Sequence, residues 1–468
     1  MRIVRPTILF LIIHFMALVP QGAAEQLQQK RLVEEAKRKI LQLTEFSVLK
    51  GDGRFLFDYG AWTDFRYTRY EEDDNDSSAK DTLRETFEAD NRLWLKINIK
   101  PPLGADYDNE HVAYFRLKDL NIKRFPEDGA GVYDHEGPHL DYGYAVLDLR
   151  PYRVEVGRRY FNIGRGIAYS NVNDGFKINY FRPGWNFGAL ASRTLPHEDN
   201  IDASVPGFTK DSDRYYFALG VGYAGIPDHQ LYSYYLVQRD FSDEEPGDPA
   251  QRYTYNSDYW GLGLKGAVAS HLDYWFEIIK QGGKGYVFGT NEKSKVDALA
   301  ANIGAEYHWD ITGKPRLAFE YAYGSGDSER TSVTDAAGGN LSGDDNNFLY
   351  FGYFPAGYAL APRLSNIHIY RVGGALQPLA KFRFCKDLMF AVDYFRYFKD
   401  KPEGGISDTE ATANARDIGS EVDVTVSWQV LSDLRWSLSY GRFMPGDAFL
   451  DSANDADNYF SNSLTLTF

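Results

Sequence analysis

The segment "DIGSEVDVTVSWQVLSDLRWSLSY", Asp417 to Tyr440, alternates. Ile418, Val422, Val424, Val426, Trp428 and Val430 share one parity, and Gly419, Glu421, Asp423, Thr425, Ser427 and Gln429 share the other. After "LSD" the pattern restarts, with Leu434, Trp436, Leu438 and Tyr440 against Arg435, Ser437 and Ser439. Successive side chains of a strand point to opposite faces, so each half carries one apolar and one polar face.

The same period of two runs from Gly53 to Phe468. In "NRLWLKINIK", Leu93, Leu95, Ile97 and Ile99 oppose Arg92, Trp94, Lys96 and Asn98; in the last stretch Leu464, Leu466 and Phe468 oppose Ser463, Thr465 and Thr467. Alternation bounded by turn residues predicts about 18 strands. Short breaks ("RPGW", "GIPD", "DITGK", "CKD", "LSD") alternate with long ones (71–81, 195–210, 240–251, the stretch "SGDSERTSVTDAAGGNLSGDDNNF" and 400–415). Turns at one end of a sheet and loops at the other, with one apolar face, predict an all-β fold: a transmembrane antiparallel β-barrel over 51–468. Closure removes the sheet edges, which is what lets strands sit in lipid. A β-sandwich also alternates, but needs neither strands of such length nor alternating connection lengths. No repeat of about 40 residues argues for a propeller.

Composition sharpens this picture. Aromatic residues make up 16% of 468 residues, an excess that suits the interface girdles of a barrel. The hydrophobic share, 43%, is moderate because only half of each strand meets lipid. The single cysteine, Cys385, excludes an internal disulfide. A formal net charge of -15 speaks against nucleic acid as a partner.

The start, "MRIVRPTILFLIIHFMALVPQGAAEQ", has Arg2 and Arg5 before an apolar run and small residues at Gly22 and Ala24. It reads as a signal peptide, residues 1–24. Residues 25–50 are expected to form a short periplasmic helical segment, on the helix formers of "EQLQQKRLVEEAKRKILQLTEF".

Several words resemble one family. "LSNIHIYRVGGALQPLAKFRF", "RDIGSEVDVTV", "YGRFMPGDAF" and the closing strand, with "VEVGRRYFN" and "EYAYGSGD", are similar in order to segments of the alginate export family. The resemblance implies an 18-stranded outer-membrane barrel whose arginine-rich lumen passes an anionic polysaccharide. It implies lumen roles for Arg158, in the "GR" word, for the acidic pair Glu421 and Asp423, and for Arg363 beside "LSN". The chain departs from the family at Ser437 and Ser439, where the family carries inward arginines. Arg442 lies nearby on the opposite parity.

Parity alone also gives a lumen. The polar face holds Asp58, Asp64, Arg66, Arg92, Lys96, Arg116, Lys118, Arg316, Glu320, Arg371, Lys381, Arg383, Glu421, Asp423 and Arg435, more base than acid. Trp62, Trp94 and Trp275 share that parity. A narrow bore focuses the field of such charges, and arginines in it favour anions. No nucleophile elbow, phosphate loop or metal-ligand spacing appears, so no catalysis, metal or cofactor is expected. The expected function is outer-membrane export of an alginate-like exopolysaccharide, with loop 327–362 at the mouth and periplasmic scaffold and synthase proteins as partners. The alternative is an uptake porin for anions or oligosaccharides on the same fold.

Overall fold

The computed structural model describes residues 46–50, 55–71, 83–99, 111–125, 131–195 and 213–468, the last stretch without 245–246, 249–251, 253, 269–270, 331–332, 334–338, 383, 409 and 451–454. The expected signal peptide, 1–24, and residues 25–45 lie outside the described residues.

Nineteen strands and no helix occur among the described residues. They are β1 (Phe46–Lys50), β2 (Phe55–Glu71), β3 (Leu83–Ile99), β4 (His111–Phe125), β5 (Val132–Leu149), β6 (Tyr152–Asn162), β7 (Ser170–Arg182), β8 (Trp185–Arg193), β9 (Arg214–Tyr223) and β10 (His229–Asp240). They continue as β11 (Asn256–Val268), β12 (Leu272–Tyr286), β13 (Lys293–His308), β14 (Arg316–Gly324), β15 (Ile367–Leu376), β16 (Met389–Lys399), β17 (Asp417–Gln429), β18 (Leu434–Pro445) and β19 (Asn458–Thr467). From β2 to β19 each strand pairs with its sequence neighbours, and β19 closes antiparallel onto β2, giving an 18-stranded barrel. Phe46–Lys50, expected at the end of a helical segment, instead pair as β1 with Phe55–Tyr59 of β2, below the point where Phe468 meets Ala61.

Burial is inverted relative to a water-soluble domain. Leu93 and Leu219 are 57% and 65% exposed on the outer face, while Arg92 and Arg116 are 2% and 0% exposed inside. The outer apolar set forms the lipid belt. Aromatic pairs mark its edge at the short-turn end, Tyr152–Tyr180, Trp185–Tyr223 and Tyr307–Trp309. Tyr67–Phe460 and Tyr321–Tyr370 mark the other edge. Beyond them, outward ion pairs such as Arg69–Glu71, Arg239–Asp258 and Arg396–Asp417 top the strands.

The connections sort by end. Residues 150–151, 183–184, 224–228, 309–315, 377–388 and 430–433 turn at one end, and 163–169, 325–366 and 400–416 lie at the other. Two details correct the parity reading. Ile418 does not face lipid with Val422: Tyr397 pairs with Gly419 and Phe398 with Asp417, so Ile418 is a bulged extra residue and is buried inside. Gly419 supplies the positive φ (137°) that this bulge requires. The strand expected to run through "LQPLAKFRF" stops at Leu376, because Pro378 has no N–H to extend a ladder. Lys381 therefore lies exposed on a turn, not on the wall, and Arg383 lies outside the described residues.

Candidate functional site

The lumen is divided into an apolar side, the dry side, and a mainly polar side, the wet side. Two long-end segments fold inward. The first is 163–169, after β6; the second is the described part of 325–366, between β14 and β15. They dock through the backbone: Phe351 N–H donates to Ala168 O (3.0 Å), and Tyr353 N–H to Gly166 O (2.9 Å). Gly352 allows this approach, since a Cβ there would lie 1.9 Å from Gly166 O.

Inward side chains of the wall hold both segments. Leu349 donates its N–H to Gln281 Oε1 (3.0 Å) and accepts from Tyr259 Oη–H at its carbonyl (2.7 Å). Glu277 accepts from the Arg165 N–H, Tyr232 and Tyr234, at 2.7, 2.7 and 2.8 Å. Glu421, fully buried, accepts three successive backbone N–H groups, from Tyr358 (2.5 Å), Ala359 (2.6 Å) and Leu360 (3.2 Å), and the Tyr397 hydroxyl (3.1 Å). Around these anchors a core forms inside the barrel, with Phe161, Tyr169, Tyr216, Tyr259, Phe348, Phe354, Phe395 and Phe443 among its members. Burying each such aromatic is worth about 1.5–3 kcal/mol.

That core draws on β6 and on strands from β8 to β18, and on no described residue of β19 or β2–β5. The lumen face of those five strands carries mostly charged and hydroxyl groups, with Trp62, Trp94, Leu120, Tyr142 and Val146 among them. Arg92 is clamped by Asp90 (Nε–Oδ1 2.5 Å, Nη2–Oδ2 2.9 Å) and shares Asp141 with Arg116, whose Nε lies 2.6 Å from it. Asp141 reaches inward because it is the bulged residue between Leu140, paired with Leu117, and Tyr142, paired with Arg116. The Arg116 guanidinium lies 3.8 Å from the Tyr142 ring centroid and 5.3 Å from that of Trp62. Arg66 is tied to Asp64 at 2.7 Å. Lys96 stays partly open, 3.9 Å from Asp58. Higher on the same wall, Arg84 is exposed and Arg124 half-buried.

The sequence-derived residues thus fall into groups. Arg66, Arg92, Lys96 and Arg116 share the wet wall with Lys118, which meets Glu136 at 3.3 Å. Arg371 is buried on the dry side between Asp393 (2.8 Å) and Glu320 (3.2 Å), and Arg316 lies 3.9 Å from Glu306. Glu421 anchors the inner segment, with buried Asp423 two residues along the same face. Arg363 belongs to that segment, donating to Tyr350 O at 3.0 Å. Arg435 is half-buried near the short-turn end and donates to Ser427 Oγ. Arg158 shares the outer face with Val156 and forms a two-point pair with Asp174 (2.9 and 3.0 Å). Its neighbour Arg159 turns inward, over Tyr144 and Phe161. The excess of base read from parity is offset by inward acids absent from that set, Asp90, Asp141, Glu277, Glu306 and Asp393. Glu277 was legible from the alternation of "HLDYWFEIIK". Asp141 was not, because its bulge breaks parity.

A closed 18-stranded antiparallel barrel with an apolar outer belt and a partly filled lumen defines an outer-membrane channel architecture. The solved structures it is similar to are of this kind. OccAB1 of Acinetobacter baumannii is 13% identical, with a TM-score of 0.52, covering 88% of this chain and 96% of that one. OccK7 (OpdD) of Pseudomonas aeruginosa is 11% identical, with a TM-score of 0.51 over 88% and 98% of the two chains. At such identities the likeness shows the fold alone. No curated protein sequence matches this chain. The family model described as alginate export matches residues 125–462. The chain belongs to the alginate export family, and its place is the bacterial outer membrane.

Proposed function

We propose that this protein is an outer-membrane channel that exports an anionic, alginate-like polysaccharide along the wall formed by β19 and β2–β5. The observation that carries this reading is the asymmetry of the lumen. The apolar core occupies the opposite side and leaves a polar wall bearing Arg66, Arg84, Arg92, Lys96, Arg116 and Arg124. Low-dielectric protein on one side focuses the field of these groups on the remaining passage, and the carboxylates of Asp58, Asp64, Asp90 and Asp141 offset part of it. Arg92 and Arg116, clamped by carboxylates, stiffen the wall. The more accessible cations of this wall, Lys96, Arg84 and Arg124, meet the passing carboxylates. Permeation needs several weak contacts of this kind rather than one tight site.

A second reading, uptake of small anions or oligosaccharides, is favoured by the inner segment, which narrows the bore. The deciding measurement is the reversal potential of the full-length protein in a planar bilayer under a KCl gradient, with polymannuronate added to one side. Anion selectivity with block by the polymer supports export. Anion selectivity that the polymer leaves untouched favours small anions. Cation selectivity overturns both.

A further inference from the structure

The connection from β15 to β16, residues 377–388, is longer than its task requires. A few residues suffice to reverse the chain between antiparallel strands, as 150–151, 183–184 and 430–433 do at the same end of this barrel. The longer connection is ordered by successive three-residue turns. Ala380 N–H donates to Gln377 O (3.3 Å), Phe382 N–H to Leu379 O (2.9 Å), Cys385 N–H to Phe382 O (3.0 Å) and Leu388 N–H to Cys385 O (3.0 Å). Its base is tied to the neighbouring turn, where Gln377 N–H donates to Gly313 O at 2.7 Å.

This knob displays apolar side chains instead of covering them. Phe384 is 82% exposed and Phe382 64%. No other large apolar side chain among the described residues is as open as Phe384. The knob also leans outward. Trp428 lies on the outer face of β17, on the parity of Val424 and Val426, and its indole N–H donates to Phe384 O at 3.1 Å. That bond sets the knob against the outside of the wall, beyond the paired belt residues Leu376 and Phe390, and not across the bore. Trp309 and Ile311 on the turn tied to it, and Leu431 on the next, are exposed as well. The apolar belt therefore continues past the strand ends onto these turns. Lys381 and Lys386 flank the two rings. Both are exposed, and neither side chain has an ion pair or hydrogen bond among the described residues. Asp387 is the one carboxylate of the knob.

We propose that this knob is an interfacial foot that binds anionic phospholipid in the periplasmic leaflet, with Phe382 and Phe384 entering the acyl boundary and Lys381 and Lys386 holding headgroup phosphate. The short-turn end of such a barrel faces the periplasm. Aromatic rings beside lysines suit the membrane interface, because a lysine stem lies along apolar surface while its ammonium reaches the headgroups. Anionic lipid adds an attraction for each lysine near the surface that zwitterionic lipid does not. The sideways lean favours lipid over a periplasmic protein, since the rings face along the membrane and continue the belt. The foot is independent of what passes through the lumen.

The test uses the full-length protein in nanodiscs of phosphatidylethanolamine, with or without phosphatidylglycerol. A nitroxide label is placed at Phe384→Cys in a Cys385→Ser background, and its collisions with oxygen and with a water-soluble nickel chelate are measured. Leu219→Cys, in the belt, and Asn291→Cys, exposed at the long-loop end, give the lipid and water references. Heat-modifiable gel mobility checks that each barrel is closed. The expected label is as open to oxygen as the belt reference and closed to nickel when phosphatidylglycerol is present. Omitting that lipid, or adding Lys381→Gln/Lys386→Gln, should raise nickel access at least ~5-fold. Nickel access equal to the water reference in all lipids overturns the foot. Belt-like access that neither phosphatidylglycerol nor the lysines alter overturns the binding of anionic headgroups. Shielding from both reagents overturns it too, by showing that protein covers the rings.

Discussion

Removing the carboxylate of Glu421 should release the inner segment while leaving the barrel intact. Three consecutive N–H groups, of Tyr358, Ala359 and Leu360, converge on this side chain, and all lie inside the protein. A buried donor left without an acceptor costs about 1–3 kcal/mol. In Glu421→Ala, with some water entering the space left, the loss sums to about 3–6 kcal/mol. Gly357, at φ 87°, and the Tyr397 hydroxyl fit around the same carboxylate, so no other group can take its place without moving the backbone. A shift of about 4 kcal/mol changes the ratio of docked to undocked segment by roughly a thousand-fold. Glu421→Gln keeps one acceptor oxygen but turns an amide N–H₂ toward an N–H donor, and should cost about 1–2 kcal/mol, roughly ten-fold.

The barrel ladder does not involve this contact, so heat-modifiable mobility should be unchanged. Two assays read the segment directly. Single-channel recording should show larger or longer openings in Glu421→Ala, with Glu421→Gln in between. Limited proteolysis should cut within 339–362 faster, in the same order. Native current and native cleavage in Glu421→Ala would refute the reasoning, because the segment would then be held by the apolar core alone. A collapsed barrel would refute it differently, by showing that the carboxylate supports the wall.

Three further outcomes are expected. Gly352→Ala places a methyl 1.9 Å from Gly166 O, so it should undock the two inner segments and reproduce the Glu421→Ala currents. Arg116→Ala removes one buried guanidinium from Asp141 while Arg92 stays, and should destabilise the wet wall by about 1.5–3 kcal/mol, seen as a lower thermal midpoint in circular dichroism. Asp400, just past β16, is raised by burial but lowered more by His368, the Gly326 N–H and Lys401, and sits at about 2. Its folded value lies below the ordinary carboxylate value near 4, so its bond to Gly326 should be complete above that value and be lost as pH falls through about 2, which amide exchange at Gly326 will report.

Much of the barrel was written in the alternation, because a strand in lipid must separate its faces and a closed sheet must alternate turns with loops. Val422, Val424 and Glu421 fall on opposite faces as their parity requires. Parity failed where the backbone carries an extra residue. Ile418 and Asp141 both sit in bulges and both turn inward, one into the core and one between two arginines. It failed again at Lys381, where the alternation of "LAKFRF" continues past a proline that ends the ladder. The resemblance pointed to Arg158, whereas the inward side chain is its neighbour Arg159. The inner segment could not be read from period at all. Phe348, Tyr350 and Phe354 lie in a loop, and only packing against Tyr259, Phe395 and Tyr397 on far strands makes them core.

Strand number fixes the width of a barrel, and eighteen strands enclose an aqueous channel unless something fills it. Selectivity needs a narrower passage than the wall alone provides. Here the filling is confined to one side, so narrowing and charge are assigned to different residues. On the proposed reading, anchors such as Glu421 would set whether the segment is in place, and cations of the opposite wall such as Arg84 and Arg124 would set what passes beside it. The two groups lie on strands that are not neighbours in the barrel, so their effects on current should be nearly additive in free energy. A cycle of Glu421→Ala, Arg84→Gln and the double variant tests this. Open probability should follow Glu421 and ion selectivity should follow Arg84, with the double variant showing the sum. Strong non-additivity in selectivity would mean that the docked segment itself forms the charged passage, and the division of the lumen into a dry and a wet side would then be wrong.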